Sequence, residues 1–528
     1  MLAIRSSTFD SLIIFCGSLI FFTLGLHAQE VIGFDSRFYL FAQEMWRHGV
    51  TWFPTTYQQP YPDYTAGSTI LIYWASVLFG GLNKFTAVLP TAIAASLTLT
   101  FTYLIGALHA RSWGLAAVCF LLMTLGFLQS ARAISLDMQL TMITTLIFYL
   151  LYSTKNVRLI YALLLLGFME RGLIGLVMPT GVICIYYLLA GNIKQCFRSG
   201  FIALVLLILC TAILLGLAYQ AGGNSFVQDV LRMQVLGRLN DHFLPYYFYF
   251  TNSLFTYAFS FPLACLVLIG LLYEKFLKKS TIPHANFILQ LTGWMLVILL
   301  GMSIPGMKKS RYILPMLPAL ALMSAYLFME MKQRYFHVLR LCVSSFLFIL
   351  PLILASAIIF VKYNAASRHL ILPLPFSQLI IFLLCLQTIY VIAIFKYRHV
   401  LTLLITSALT YVLIYLSLVE PITLYADRSR DFVRQVENQR VAQHAQLIFY
   451  KENPDNLPIK YIISMKQPEH QPIFVQALSQ IKQAAFIVTS ENYFVDLPAT
   501  IKNQYHVLAQ GKLGHVAVVV FQKNTVTI

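Results

Sequence analysis

The chain has 528 residues, of which 59% are hydrophobic and 11% charged, whereas an ordinary soluble domain carries about 25% charged residues. With a mean hydropathy of +0.74, this composition excludes both a soluble multidomain enzyme and a disordered chain, and leaves a protein with many membrane spans. The net charge of +17 does not call for nucleic acid, because the basic residues sit in short loops between apolar segments.

Charge is unevenly distributed. Residues 1–420 hold 26 Lys+Arg and 12 Asp+Glu, and residues 421–528 hold 11 and 8. The density of charge doubles near Glu420–Tyr425. The expected organisation is therefore a membrane body over residues 1–424 and a small soluble domain over 425–528.

In chain order, the first span is expected at 11–28. Apolar Phe38, Phe41, Ala42 and Met45 then recur at helical spacing, which predicts an amphipathic helix over Asp35–Met45 lying at the membrane surface. A second amphipathic stretch runs from Thr69 to Phe79. A span needs roughly 20 apolar residues, and further candidates follow at 85–107, 113–129, 138–153, 158–169, 173–190, 200–219, 252–273, 286–304, 312–329, 341–361, 370–394 and 400–419. The tail is expected to alternate: a helix at Asp427–His444, strands at Leu447–Tyr450 and Tyr461–Met465, a helix at Gln471–Lys482, and strands at Ala484–Thr489, His506–Ala509 and Val516–Gln522.

Thirteen spans place seven basic clusters on one side: Arg5; Arg111; Lys155 and Arg158; Lys194 and Arg198; Lys275, Lys278 and Lys279; Lys332, Arg334 and Arg340; Lys396 and Arg398. The positive-inside rule assigns that side to the cytoplasm, with the N-terminus inside and the tail outside. The localisation that follows is a bacterial inner membrane with the tail in the periplasm. The opposite loops hold most acids of the body: Asp35, Glu44, Asp63, Asp137, Glu170, Asp229 and Asp241. Of the eight cysteines, seven fall within spans and Cys196 in a cytoplasmic loop, so neither a disulfide framework nor a zinc spacing is expected.

The first outer loop carries Gly33-Phe-Asp-Ser-Arg37. With Asp35–Met45 it resembles the opening acidic motif of the integral-membrane glycosyltransferases of the GT-C fold, in the branch of protein O-mannosyltransferases and lipid A aminoarabinose transferases. The likeness continues in order. Ala131-Arg132 through Asp137-Met138 resembles the family's arginine-and-aspartate segment. Arg171–Pro179 resembles its Lys-Gly-Pro segment, with Arg for Lys. Arg232 through His242-Phe-Leu-Pro-Tyr-Tyr247 resembles the stretch ending in His, Pro and paired tyrosines. Lys308–Pro318 resembles the Lys/Arg-rich Tyr-x-Leu-Pro segment. The chain departs from the pattern at Tyr61-Pro-Asp-Tyr-Thr65, where Tyr-x-Glu-Lys-Pro is usual, so that Tyr64 or another basic residue takes the place of a lipid-phosphate lysine. The resemblance implies an all-α polytopic GT-C body with about 13 transmembrane helices. It also implies transfer of a single sugar from a polyprenyl phosphate to an outer-face acceptor: lipid A, an envelope glycan or a protein. Its partners would be that donor, the acceptor and membrane lipids, without nucleic acid.

A polyprenyl-phosphate sugar has an activated leaving group. The enzyme must neutralise the departing phosphate and deprotonate the acceptor. Arg37, Arg171, Arg232, Arg238, Lys308, Lys309 and Arg311 all fall on the outer side and suit the phosphate. Asp35 is the first choice for general base, with helix capping as its plain alternative. Asp137 either orients the acceptor or Arg37, shares the base role, or merely caps the fourth span and pairs with Arg132. Arg171 either meets phosphate or pairs with Glu170. Tyr246 and Tyr247 either border the donor or belong to the interfacial belt. Asp63 and His242 match positions that hold a metal in relatives, giving a partial divalent-metal site; no other cofactor is implied. Two further readings are a flippase of lipid-linked sugars and a ligase or polymerase of surface polysaccharide. A transporter should carry ionisable residues near the bilayer midplane, whereas here they gather at the outer face.

Overall fold

The computed structural model describes residues 2–33, 35–153, 157–236, 244–329, 333–363, 376–397, 400–427, 429–465, 472–481 and 485–524. The body is helical. It comprises α1 (Leu2–Thr23), α2 (Asp35–His48), α3 (Gly67–Leu78), α4 (Lys84–Ala107), α5 (Arg111–Leu122), α6 (Leu125–Ala131), α7 (Leu136–Ser153), α8 (Val157–Arg171), α9 (Leu173–Leu189) and α10 (Ile193–Leu231). It continues with α11 (Phe248–Thr256), α12 (Ser260–Phe276), α13 (Ala285–Ser303), a 3-10 turn over Ser310–Met316, α14 (Leu317–Tyr326), α15 (Arg334–Tyr363), α16 (Phe376–Tyr397), α17 (Val400–Ile414) and α18 (Glu420–Ala426). The protein is a multi-pass membrane protein. Among the described residues, seven helices are long and apolar enough to cross a membrane, or nine if each of two bent pairs, α5–α6 and α11–α12, forms one span. All thirteen apolar windows of the sequence fall on helices, the fourth from the end reaching back into the 3-10 turn and the 370–375 part of another lying outside the described residues.

Two ion pairs tie the body together at opposite ends, the first with an exposed arginine and the second buried. Near the start of α1, Arg111 donates from Nε and Nη2 to Asp10 at 2.6 and 2.8 Å, and the Tyr103 hydroxyl donates to the same carboxylate at 2.6 Å. At the other end Arg132, closing α6, donates to both oxygens of Glu420 at 2.7 Å and to the carbonyls of Phe21 and Leu24 at 2.8 and 2.9 Å. Arg132 therefore pairs with the foot of α18 and not with Asp137. A guanidinium fork can satisfy several helix-end carbonyls at once, which a single carboxylate on α7 would not require of it. The largest buried rings, Trp113 and Trp294, each find a carbonyl for the indole N–H, at Leu322 and Pro315, as a low-dielectric interior demands.

The C-terminal α/β domain contains α19 (Arg430–Ala442), β3 (Gln446–Tyr450), α20 (Leu457–Ser464), β4 (Ile473–Val475), β5 (Ala485–Ser490), two short helices, β6 (Tyr505–Leu513) and β7 (Val516–Lys523); β1 and β2 are a two-residue ladder at Thr55–Thr56 and Gln59–Pro60. The sheet order is β4-β3-β5-β7-β6, with β3 parallel to β4 and β5, and β7 antiparallel to β5 and β6. Alternate strand residues feed two cores. Phe449, Phe486, Val488 and Val520 face α19 and α20, while Ile448, Ile487, Val519 and Phe521 face the other side, the period of two that a doubly covered sheet requires.

Two expected elements differ. Tyr461–Met465 belongs to a helix and not a strand: Pro458 sits in its first turn, where its fixed φ favours helix, and Leu457, Tyr461 and Ile462 form one buried face. The expected helix at Gln471–Lys482 is instead β4 followed by a 3-10 turn over Leu478–Gln480; Ile473-Phe474-Val475 are strand-favouring residues that pair with the free edge of β3. Gln471 and Lys482 themselves lie outside the described residues.

Candidate active site

The site forms where α2, the α6–α7 turn, the α8–α9 turn and the Ser310–Met316 turn converge. Gly33 enters α2 with φ +61°, a conformation costly for a residue with a Cβ. Helix α2 buries two faces. Phe38, Phe41 and Ala42 pack with Tyr61, Tyr64, Ile72 and Leu136 of the body, and Leu40 joins the core of the C-terminal domain. This double packing fixes Asp35 at the helix start. One oxygen of Asp35 accepts the Ile134 N–H at 3.0 Å. Burial pushes its pKa up to about 6, against the opposing influence of Lys84, the Ile134 bond and Arg311.

The α8–α9 hairpin places Arg171. Gly172 turns the chain with φ +62°, and Gly167 and Gly175 let the two backbones touch: a Cβ on either would run into the other's carbonyl oxygen. Arg171 is thereby held buried, with Nε donating to Asp137 at 3.0 Å and its guanidinium 5.7 and 5.3 Å from the ring centres of Tyr64 and Tyr312. The other Asp137 oxygen lies 3.2 Å from Arg311 Nε. Arg171 thus pairs with Asp137 and not with Glu170, the neighbour that sequence adjacency suggested; Glu170 is buried on its own helix end. Asp35, Ser135, Asp137, Arg171 and Arg311 line one cleft of about 170 Å³.

Other expected site residues are placed differently. Arg37 is turned toward the C-terminal domain, where Nη2 donates to the Asp455 carbonyl at 2.9 Å, and it lies 5.4 Å from the Tyr61 ring centre. Lys308 is buried and donates to the carbonyls of Leu244 and Pro305 at 2.9 and 2.7 Å. It is occupied by backbone and 5.6 Å from the Tyr246 ring centre. Lys309 is exposed and lies within the field of Arg311, Arg37, Asp63 and Arg171; partial burial, then the neighbouring cations, lower its pKa. Arg232 is exposed at the end of α10, and Tyr246 and Tyr247 are exposed. Arg238 and His242 lie outside the described residues. Asp63 lines a small crevice with Tyr64, Arg171 and Gln234. The charged groups that sense it are the cations Arg37, Arg171 and Lys309, an environment that already supplies its counter-charge. Among the described residues no group of three His, Cys, Asp or Glu side chains could hold a metal.

No family model matches the chain. A protein of Aquifex aeolicus (strain VF5) described as uncharacterized is 26% identical over 294 residues, covering 53% of this chain and 64% of that protein; the match thus spans under two thirds of the relative's length. The crystal structure of ArnT from Cupriavidus metallidurans bound to undecaprenyl phosphate superposes with a TM-score of 0.69 at 15% identity, over 96% of this chain and 97% of that one. The apo structure of the same protein gives 0.69 at 16% identity, over 98% of both. The chain adopts the GT-C fold. The superposition extends over nearly the whole of both chains.

On this GT-C scaffold the cleft combines one carboxylate with a raised pKa and a second carboxylate committed to two guanidiniums. Two carboxylates in such different surroundings are suited to different tasks. Sequence reading missed Lys84. It is buried at the first position of α4, inside the Asn83–Thr86 capping box, and its charge acts on Asp35. A lone lysine opening an apolar span was the available signal. It missed Tyr312, which shares the Arg171 and Arg311 guanidiniums, and Asp455, for which an exposed loop of the tail gave no signal.

Proposed function

We propose that this protein is a glycosyltransferase that moves one sugar from a polyprenyl phosphate to an acceptor at the face bearing the C-terminal domain. The observation that carries this reading is the division of labour between Asp35 and Asp137 on a GT-C scaffold. ArnT of C. metallidurans, with the same fold, is seen bound to undecaprenyl phosphate.

In this reading Asp35 removes the proton from the acceptor hydroxyl. The oxygen attacks the anomeric carbon, the bond from that carbon to the phosphate oxygen breaks, and the electron pair leaves on the phosphate. Arg171, Arg311 and Lys309 neutralise it, with Asp137 fixing the two guanidiniums, and the single displacement inverts the anomeric centre. The apolar carrier lies along the spans. Residues 1–424 form the catalytic body and 425–528 a domain that covers it. In a bacterium the protein sits in the inner membrane, with its N-terminus cytoplasmic and that domain periplasmic; the acceptor is lipid A, another envelope glycan or a protein.

The test compares membrane lipids and glycoproteins by mass spectrometry in wild type, a deletion strain and Asp35→Asn. A glycan absent from the deletion and fully restored by Asp35→Asn would overturn the base assignment. Reporter fusions at residues 155 and 425 should fall on opposite sides of the membrane; the same side would sink the topology.

A further inference from the structure

One loop of the C-terminal domain reaches the edge of the site. Asn453 Oδ1 accepts the Asp455 N–H at 2.9 Å, an Asx turn that shapes the loop before α20. Around it, the Tyr57 hydroxyl donates to the Pro454 carbonyl at 2.7 Å, the Tyr61 hydroxyl donates to Asp455 Oδ2 at 3.0 Å, and Arg37 donates to the Asp455 carbonyl at 2.9 Å with its Nη2 4.0 Å from Oδ2. Residues two apart on a helix point to different sides, so α2 aims Asp35 into the cleft while Arg37 reaches the loop. Tyr61 stacks on Tyr64 with rings 10° apart, and Tyr64 in turn lies under Arg171. Asp455 is thus the far end of a chain of contacts through Tyr61 and Tyr64 to Arg171, and it also fixes Arg37 at the edge of the cation group around Lys309.

We propose that Asp455 is a positioning residue of the candidate site: the C-terminal domain, with the Asp455 carboxylate on Tyr61 and its main-chain carbonyl on Arg37, sets the Tyr61–Tyr64 stack and Arg37 in the arrangement that receives the donor phosphate. The inference rests on the glycosyltransferase reading. It gives the C-terminal domain a specific task in donor binding, carried by a residue 420 positions after Asp35.

The experiment uses the purified full-length protein in detergent, with undecaprenyl phosphate as the probe and binding read by intrinsic fluorescence. Thermal unfolding of each variant is recorded alongside. Asp455→Ala should weaken binding roughly fivefold, the equivalent of one lost hydrogen bond. Asp455→Asn, which keeps an acceptor for Tyr61 and the carbonyl for Arg37, should stay within about twofold of wild type. Tyr61→Phe should match Asp455→Ala, and the double variant should be no weaker than either single one. If Asp455→Ala does not fold, Tyr61→Phe against Asp455→Asn still decides. Folded variants that bind as tightly as wild type, or more tightly, overturn the proposal, as does an Asp455→Asn as weak as Asp455→Ala. A wild type that binds no undecaprenyl phosphate overturns the glycosyltransferase reading and this inference with it; binding by wild type with no effect at Asp455 overturns this inference alone.

Discussion

Asp137 accepts from Arg171 Nε at 3.0 Å, and both side chains are buried. With Arg311 3.2 Å from its second oxygen, this carboxylate is held between two guanidiniums. Its removal leaves buried charge without a counter-ion, a loss of about 3–5 kcal/mol in comparable pairs. Asp137→Ala should therefore lower both the thermal unfolding temperature and activity. Arg171→Lys should keep most of the stability and lose most of the activity, because an ammonium cannot hold Asp137 and lie between Tyr64 and Tyr312 at once. An Asp137→Ala protein with an unchanged melting point would contradict this account.

Asp35 gives a pH signature. Its carboxyl is pushed up to about 6 by burial, and a general base works in its charged form. Activity should rise as pH increases through about 6 and then level off. Asp35→Asn should lose roughly 10²–10⁴ in rate while still binding undecaprenyl phosphate. Stability should show the opposite sense. The folded state holds this proton more tightly than the unfolded chain, so the wild type loses stability as pH rises from about 4 through about 6. Asp35→Asn should unfold at a higher temperature than wild type at pH 8, with little difference at pH 4. Equal shifts at both pH values would remove burial as the cause.

The helical body was legible because most of its apolar windows are longer than a typical soluble helix, and the α2 helix because its apolar residues recur at helical spacing. Asp35, Asp137, Arg171 and Arg311 could be singled out because charge is scarce in such a chain. Their partners could not. Arg132 finds Glu420 across 288 residues, and neither adjacency nor spacing encodes a contact made by folding α18 back onto α1. The same holds for Arg37, which faces Asp455 and not the cleft. Tyr461–Met465 forms a helix where a strand was expected because a short apolar run rich in Ile suits a strand as well as a short buried helix, and Pro458 tips the balance.

The α8–α9 hairpin depends on its glycines. Gly175→Ala would drive a methyl into the Gly167 carbonyl, and neither backbone can yield without moving Arg171 between them. Overpacking of this kind costs about 1–3 kcal/mol. The expected outcome is a lower unfolding temperature together with weakened undecaprenyl phosphate binding. Gly81→Ala, where a Cβ meets nothing within 4 Å, should change neither. Binding unaffected in a folded Gly175→Ala protein would show that the hairpin does not set the position of Arg171.

The Arg132–Glu420 pair should behave as a structural clasp. Arg132 makes hydrogen bonds to Glu420, Phe21, Phe22 and Leu24, and Glu420 also accepts from Gln29 at 3.0 Å. Both side chains are buried. Glu420→Ala leaves the guanidinium with carbonyls but no counter-ion, and Arg132→Ala strips three carbonyls at the end of α1 as well as the carboxylate. Each should cost about 3–5 kcal/mol, with Arg132→Ala the worse of the two. The double variant should be less damaging than the sum, because the second removal deletes a charge already left alone. Arg132→Lys should rescue little, since one ammonium cannot reach two carboxylate oxygens and three carbonyls. Thermal unfolding of the four proteins in detergent measures this. Strict additivity would show that the two side chains act independently and that the clasp does not hold α18 to α1.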